Sequence, residues 1–206
     1  EKNMVVPMSW SYGGRGPNVA YGAALLGAKV KLVGFVGEDF DRPYPGFYNG
    51  GYRTHLEHAG VIMDEQVLAH EEVPTISEEN HDHGILIIRG KELPTIYCIK
   101  DLSGMDFYII DDVKGAHTLA DKSPVPAKLL KKSDGIFVTS GERDFNRRLI
   151  GYARKLGKEV AFDVGAYDLT SSYLREIVPQ CNIILGNHYE LDFVQRAFGI
   201  DRIERL

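Results

Sequence analysis

Residues 13–40 read GGRGPNVAYGAALLGAKVKLVGFVGEDF. Glycines flank Arg15, Pro17 and Asn18 follow, and Val19, Ala20, Ala23, Ala24 and Leu26 then suit a close-packed helix that Gly27 ends. A strand over AKVKLVGFVGED comes next, with Gly37, Glu38 and Asp39 at its carboxyl end. Turn, helix and strand in this order make a unit of a layered α/β domain. The glycines let backbone approach a ligand without a Cβ in the way. Pro17 suits the first helical position, and the helix amino terminus presents free N–H groups to hydroxyls or anions. Asn18 both donates and accepts, which matches vicinal sugar hydroxyls, and Arg15 supplies charge or a planar fork. An ordinary helix cap accounts for the same residues equally well.

Ahead of the turn, NMVVPMSWSY is β-prone but broken by Pro7, which suits an edge or irregular strand. After residue 40 the chain is rich in Gly and Tyr, then offers a helix through His55, Leu56 and Ala59. A polar segment around HEEVPTISEENHDHG reads as an exposed loop or insertion. Between Ile85 and Asp112, GILIIRG, PTIYCIKD and MDFYIIDD are β-rich runs separated by Gly, Pro and Ser, the pattern of antiparallel hairpins. Alternation then returns: a strand at Gly135 to Thr139, a helix over NRRLIGYARKLG, a strand over KEVAFDVGAY, and helix, strand and helix over YLREIVPQCNIILGNHYELDFVQRAFG. Repeated βα units predict a mostly parallel sheet covered on both faces. The expected division is a lid or edge strand over 1–12, α/β core over 13–84, a β-rich lid over 85–116 and a second, truncated part of the core over 117–206.

The chain has 206 residues, 44% of them hydrophobic and 10% aromatic, enough to fill a core. A net charge of -5 argues against a partner whose contacts are phosphate backbones. Cys98 and Cys181 stand far apart, so neither a disulfide framework nor a paired zinc motif is indicated. A reducing, cytoplasmic setting fits. No apolar run approaches the roughly 20 residues that a membrane helix needs, and EKNMVVPMSW lacks the shape of a signal peptide.

Ligands of open α/β sheets gather outside the carboxyl ends of the strands. Those ends carry Glu38 and Asp39, Ser140 to Glu142, Asp163 and Asp168, and Asn187 and Glu190. Any one of them is explained by a polar turn; together they mark a site. No GxxxxGK[ST] loop occurs, and Val19 stands where GxGxxG would need its third glycine. Glu38 at the next strand end keeps a dinucleotide-binding alternative open. His81, Asp82 and His83 alternate in direction along an extended loop, so a solvated loop is expected there rather than a metal site. Trp10, Phe107 and Tyr108 suit packing over a flat ligand or within a hairpin equally.

Residues 13–40 also resemble the amino-terminal signature of the ribokinase/PfkB carbohydrate kinases: a glycine turn, an Asn, a small-residue helix, a strand and a G-[DE]-D end. NHYE, at 187–190, is similar to the short NxxE motif of that family, and PTIYCIKDLSGMDFYIIDDVKGAH looks most like its adenosine-kinase-like branch. The resemblance implies a ribokinase-like α/β fold with a small β-sheet lid. It implies transfer of the ATP γ-phosphoryl group, with Mg²⁺, to a hydroxyl of a sugar or nucleoside. Gly14, Arg15 and Asn18 then fall on the acceptor turn, Glu142 near a sugar contact, Asn187 near the ATP phosphates, and Glu190 on the carboxylate that organises Mg²⁺ through water. Arg15 departs from the Lys or Ser of common branches, which leaves the acceptor open.

The family's GAGD motif, with its catalytic Asp and anion hole, is not in these residues, and no strand with the family's early substrate-binding Asp precedes the turn. The expectation is therefore an internal fragment of a kinase, with no catalytic base and no activity of its own. A non-catalytic sugar- or nucleoside-binding module is the first alternative, and a dinucleotide-dependent enzyme the second. Pairing of two lid sheets into a homodimer is a further expectation.

Overall fold

The structure is a computed structural model that describes residues 11–43, 50–75, 81–100, 106–111, 115–165 and 168–200. The NMVVPMSW run and Trp10 lie outside them. Helix α1 (Arg15–Leu25) follows the glycine turn, then come β1 (Gly34–Gly37), α2 (Tyr52–His58), β2 (Glu65–Leu68) and β3 (Ile85–Ile88). The three strands form one parallel sheet in the order β1-β3-β2. Strands β4 (Thr95–Lys100) and β5 (Asp106–Asp111) make a separate antiparallel hairpin. The second half runs through α3 (Ala127–Lys132), β6 (Gly135–Thr139), α4 (Arg143–Lys155), β7 (Glu159–Asp163), α5 (Ser171–Ile177), β8 (Ile183–Leu185) and α6 (His188–Phe198). Its strands form a parallel sheet in the order β6-β7-β8.

Ile85–Ile88 is a strand, as its composition predicts, but not one arm of a hairpin. It pairs in parallel with β1 on one side and β2 on the other, and all four of its residues are buried. A run with no polar alternation is what a strand covered on both faces requires. Its place depends on Gly84, where a Cβ would collide with the Leu32 carbonyl. The Gly84 carbonyl in turn accepts the Gly34 N–H at 2.9 Å. The HEEVPTISEENHDHG stretch is likewise not all an exposed loop: Val73 is fully buried within a 3-10 turn, His81 is buried, and Lys128 pairs with Asp82 at 3.6 Å.

α1 begins at Arg15, two residues ahead of Pro17. The Gly14 carbonyl already accepts the Asn18 N–H at 3.0 Å, so Pro17 sits inside the first turn, where its missing N–H has no partner to lose. α4 buries Phe145, Leu149, Ile150 and Ala153 along one stripe. These side chains join Val138, Val160 and Phe162 of the second sheet in one core. Phe35 of β1 meets Phe145 edge-on, with ring centroids 5.3 Å apart, and links the two halves. No helix among the described residues is long and apolar enough to cross a membrane.

Candidate active site

The glycine turn is anchored from below by aromatic packing. The Tyr52 hydroxyl of α2 donates to the Gly13 carbonyl, and the Tyr12 ring stacks on Tyr52 at 4.7 Å between centroids. Gly14 has φ 95°, in the left-handed region that favours glycine, and forms the cap of α1. The chain therefore reverses sharply and aims Arg15 at the carboxyl ends of the second sheet.

There the guanidinium finds three acceptors. Nη1 donates to the Val164 carbonyl at 2.7 Å and to Asp163 Oδ2 at 3.2 Å, and Nη2 donates to Glu190 Oε1 at 2.6 Å. A planar fork with fixed donors suits such a set. Asp163 ends β7, and Glu190 lies in the first turn of α6, directly beyond β8. Gly165 lets the strand-end loop lie close: a Cβ there would overlap the Ser140 side chain and stand 3.1 Å from Arg15 Nη1.

Glu190 is held at both oxygens. Oε2 accepts the Asn187 N–H at 2.8 Å, while Asn187 Oδ1 accepts the N–H groups of Tyr189 and Glu190, each at 3.0 Å. This reciprocal capping box explains why N and E stand three residues apart in NHYE. The Glu190 side chain is only 7% exposed, and the Arg15 side chain 40%. Burial raises the Asp163 carboxyl above the usual range; Arg15 draws it down and Glu190 pushes it up. Asn187→Ala is expected to cost about 1 kcal/mol in urea unfolding, with Asn187→Ser recovering most of it.

Four of the six sequence candidates thus converge. Gly14 and Arg15 come from the turn, Asn187 and Glu190 from the start of α6. Asn18 is exposed on α1, one turn along, with its N–H spent on Gly14. Glu142 does not join them through its carboxyl. It precedes α4, and burial raises its pKa, with Asp121 adding to the effect and His117 opposing it. Its side chain therefore answers to the 3-10 turn Ala116–Lys122 rather than to Arg15. The Val164 carbonyl has no sequence signal. Asp163 does, as a strand-end acid, but its pairing with a residue 148 positions away does not.

Among the described residues no group of three or more His, Cys, Asp or Glu is arranged to enclose a metal ion. Both Glu190 oxygens already accept hydrogen bonds, so this carboxylate fits a hydrated Mg²⁺ approached through water better than direct ligation.

The family model for pfkB family carbohydrate kinases matches residues 2–205. A nucleoside kinase of Methanothermobacter thermautotrophicus is 27% identical over 195 residues, which is 92% of this chain and 53% of the relative. The crystal structure of a Methanocaldococcus jannaschii nucleoside kinase, an archaeal member of the ribokinase family, superposes with TM-score 0.70 at 21% identity, covering 100% of this chain and 59% of that one. A Burkholderia thailandensis nucleoside kinase in complex with inosine gives 0.67 at 17% identity, covering 97% and 57%. At those identities the two structures speak for the fold. The chain spans about half the length of the curated relative it matches.

Proposed function

The chain belongs to the pfkB family of carbohydrate kinases, and on that premise we propose that it takes part in transferring the γ-phosphoryl group of ATP to a hydroxyl of a nucleoside or sugar. The observation that carries this reading is the Arg15 fork, which brings the glycine turn against the strand-end acids Asp163 and Glu190. An acceptor-holding turn and a phosphate-facing helix start must adjoin for in-line transfer.

In this reading the Gly14 backbone and Asn18 hold acceptor hydroxyls, and Glu142, whose carboxyl rests beside Asp121, would have to swing from the end of β6 to join them. Asn187 faces the nucleotide phosphates, and Glu190 orders the water around Mg²⁺. When bound, Mg²⁺ neutralises charge on the phosphates. The residues of this chain bind, orient and exclude water; the proton of the acceptor hydroxyl is taken by a base outside these residues. The β4–β5 hairpin covers the acceptor, and the dinucleotide alternative loses its support to the family membership. The nucleoside kinases among the relatives favour a nucleoside over a free sugar.

The test is a transfer assay with ATP, Mg²⁺ and a panel of inosine, adenosine, ribose and fructose. The native polypeptide is expected to phosphorylate a nucleoside, and residues 1–206 alone to bind it without turnover. Calorimetric binding without transfer by the native polypeptide would instead establish a binding module.

A further inference from the structure

We propose that Arg15 is a positioning residue that couples the acceptor turn to Glu190, rather than a group that touches the acceptor. This deepens the kinase reading and rests on it for the identity of the two ligands. The geometry of the strut itself stands apart from that reading.

Three of the five N–H donors of the Arg15 guanidinium are already directed into the protein. Nη1 donates to the Val164 carbonyl and Asp163, and Nη2 to Glu190. A guanidinium has no acceptor capacity and a rigid fork, so it cannot turn to an acceptor hydroxyl without giving up these bonds. One of them reaches a side chain only 7% exposed, where an unpaired carboxylate is costly. The other end of the strut is equally defined. Arg15 is the first residue of α1 and directly follows Gly14, whose φ of 95° shapes the turn.

A displacement of the turn therefore pulls on Glu190 Oε1, while the Asn187 N–H holds Oε2 in place. The carboxylate can answer only by rotating or by losing Arg15. Occupancy of the turn and the orientation of Glu190 toward a hydrated metal then depend on each other, and linkage makes that dependence reciprocal. No sequence pattern announces it, because the bonded residues lie 148 to 175 positions apart.

Calorimetry on the native polypeptide, with inosine and Mg²⁺·AMP-PNP as probes, separates strut from contact. In the wild type each ligand is expected to tighten the other by at least about fivefold. Arg15→Met should abolish that mutual effect and weaken Mg²⁺·AMP-PNP about tenfold, while inosine alone binds within about threefold of wild type; Arg15→Lys should recover part of the coupling. A tenfold loss of inosine affinity with Mg²⁺·AMP-PNP unchanged would overturn the proposal and make Arg15 an acceptor contact. A double-mutant cycle of Arg15→Met and Glu190→Gln in urea unfolding decides the strut without either ligand. Non-additive effects support it, and additive effects sink it. Failure of the kinase reading would show differently, as no transfer to any acceptor beside an intact cycle.

Discussion

Phe162→Ala is expected to lower stability by about 4 kcal/mol, a fall in melting temperature of about 10 °C. Phe162 is fully buried in the middle of β7, paired through the backbone with Val138 of β6 and Ile184 of β8, and its ring meets Tyr173 edge-on at 6.5 Å. Truncation removes a whole ring from a core bounded by strands on two sides and by α5 above, so the cavity has little freedom to collapse. Phe162→Leu, which keeps most of the volume, should cost about 1.5 kcal/mol or less. Phe137 is the contrast. It precedes Val138 on β6, points to the other face and is 43% exposed, so Phe137→Ala should cost under about 1 kcal/mol. Equal losses at both positions in thermal unfolding would mean that the two faces of this sheet are covered alike. Asp163 follows Phe162 and faces away from that core. On the proposed kinase reading, acceptor binding below the melting transition should therefore be unchanged in the variant.

The contrast between the two faces also shows what the sequence discloses. β6, β7 and β8 and the helices between them are legible because each strand is short and bounded by turn residues, and because α4 repeats its apolar residues at helical spacing. Ile85–Ile88 is recognisable as a strand but not as a central one, since four apolar residues in a row look alike in a hairpin and in a parallel sheet. Glu65–Leu68 escapes notice altogether: EQVL has two polar residues, and its strand character comes from pairing with β3. His81 shows the same limit in reverse, a polar residue in a polar segment that tertiary packing buries. At the site, Gly14, Arg15, Asn187 and Glu190 are visible as local motifs because turn geometry and capping are local physics. The Arg15 bonds are not, because only the parallel stacking of the strand ends brings residue 15 to residues 163 and 190.

Raising the pH from about 4 to about 6 is expected to remove about 2 kcal/mol of stability through Asp168 alone. Asp168 is fully buried just after β7. Its Oδ2 accepts the Gly165 N–H at 2.9 Å, while Oδ1 is buried without a hydrogen bond. Burial pushes this carboxyl up to about 6, against the opposing pull of the Gly165 N–H, Arg143 and Arg15. In the unfolded chain it ionises near pH 3.9. Between those values the folded protein holds a proton that the unfolded chain has lost. Unfolding therefore releases a proton, and stability falls as pH rises through this window and levels off above it. Asp168→Asn should remove the dependence, because the amide oxygen can still accept the Gly165 N–H and nothing remains to ionise. Its NH₂ group takes the place of the unbonded oxygen and adds a cost that does not vary with pH, so the slope decides and not the level. Urea unfolding of both proteins from pH 4 to pH 7 gives their difference in stability. That difference cancels the other acids, Asp163, Glu142 and Glu65, which burial also raises. A difference that shifts by about 2 kcal/mol toward the variant and then levels off is the expected result. Parallel curves would mean that Asp168 ionises as freely in the fold as in the unfolded chain, so that water reaches the loop after β7.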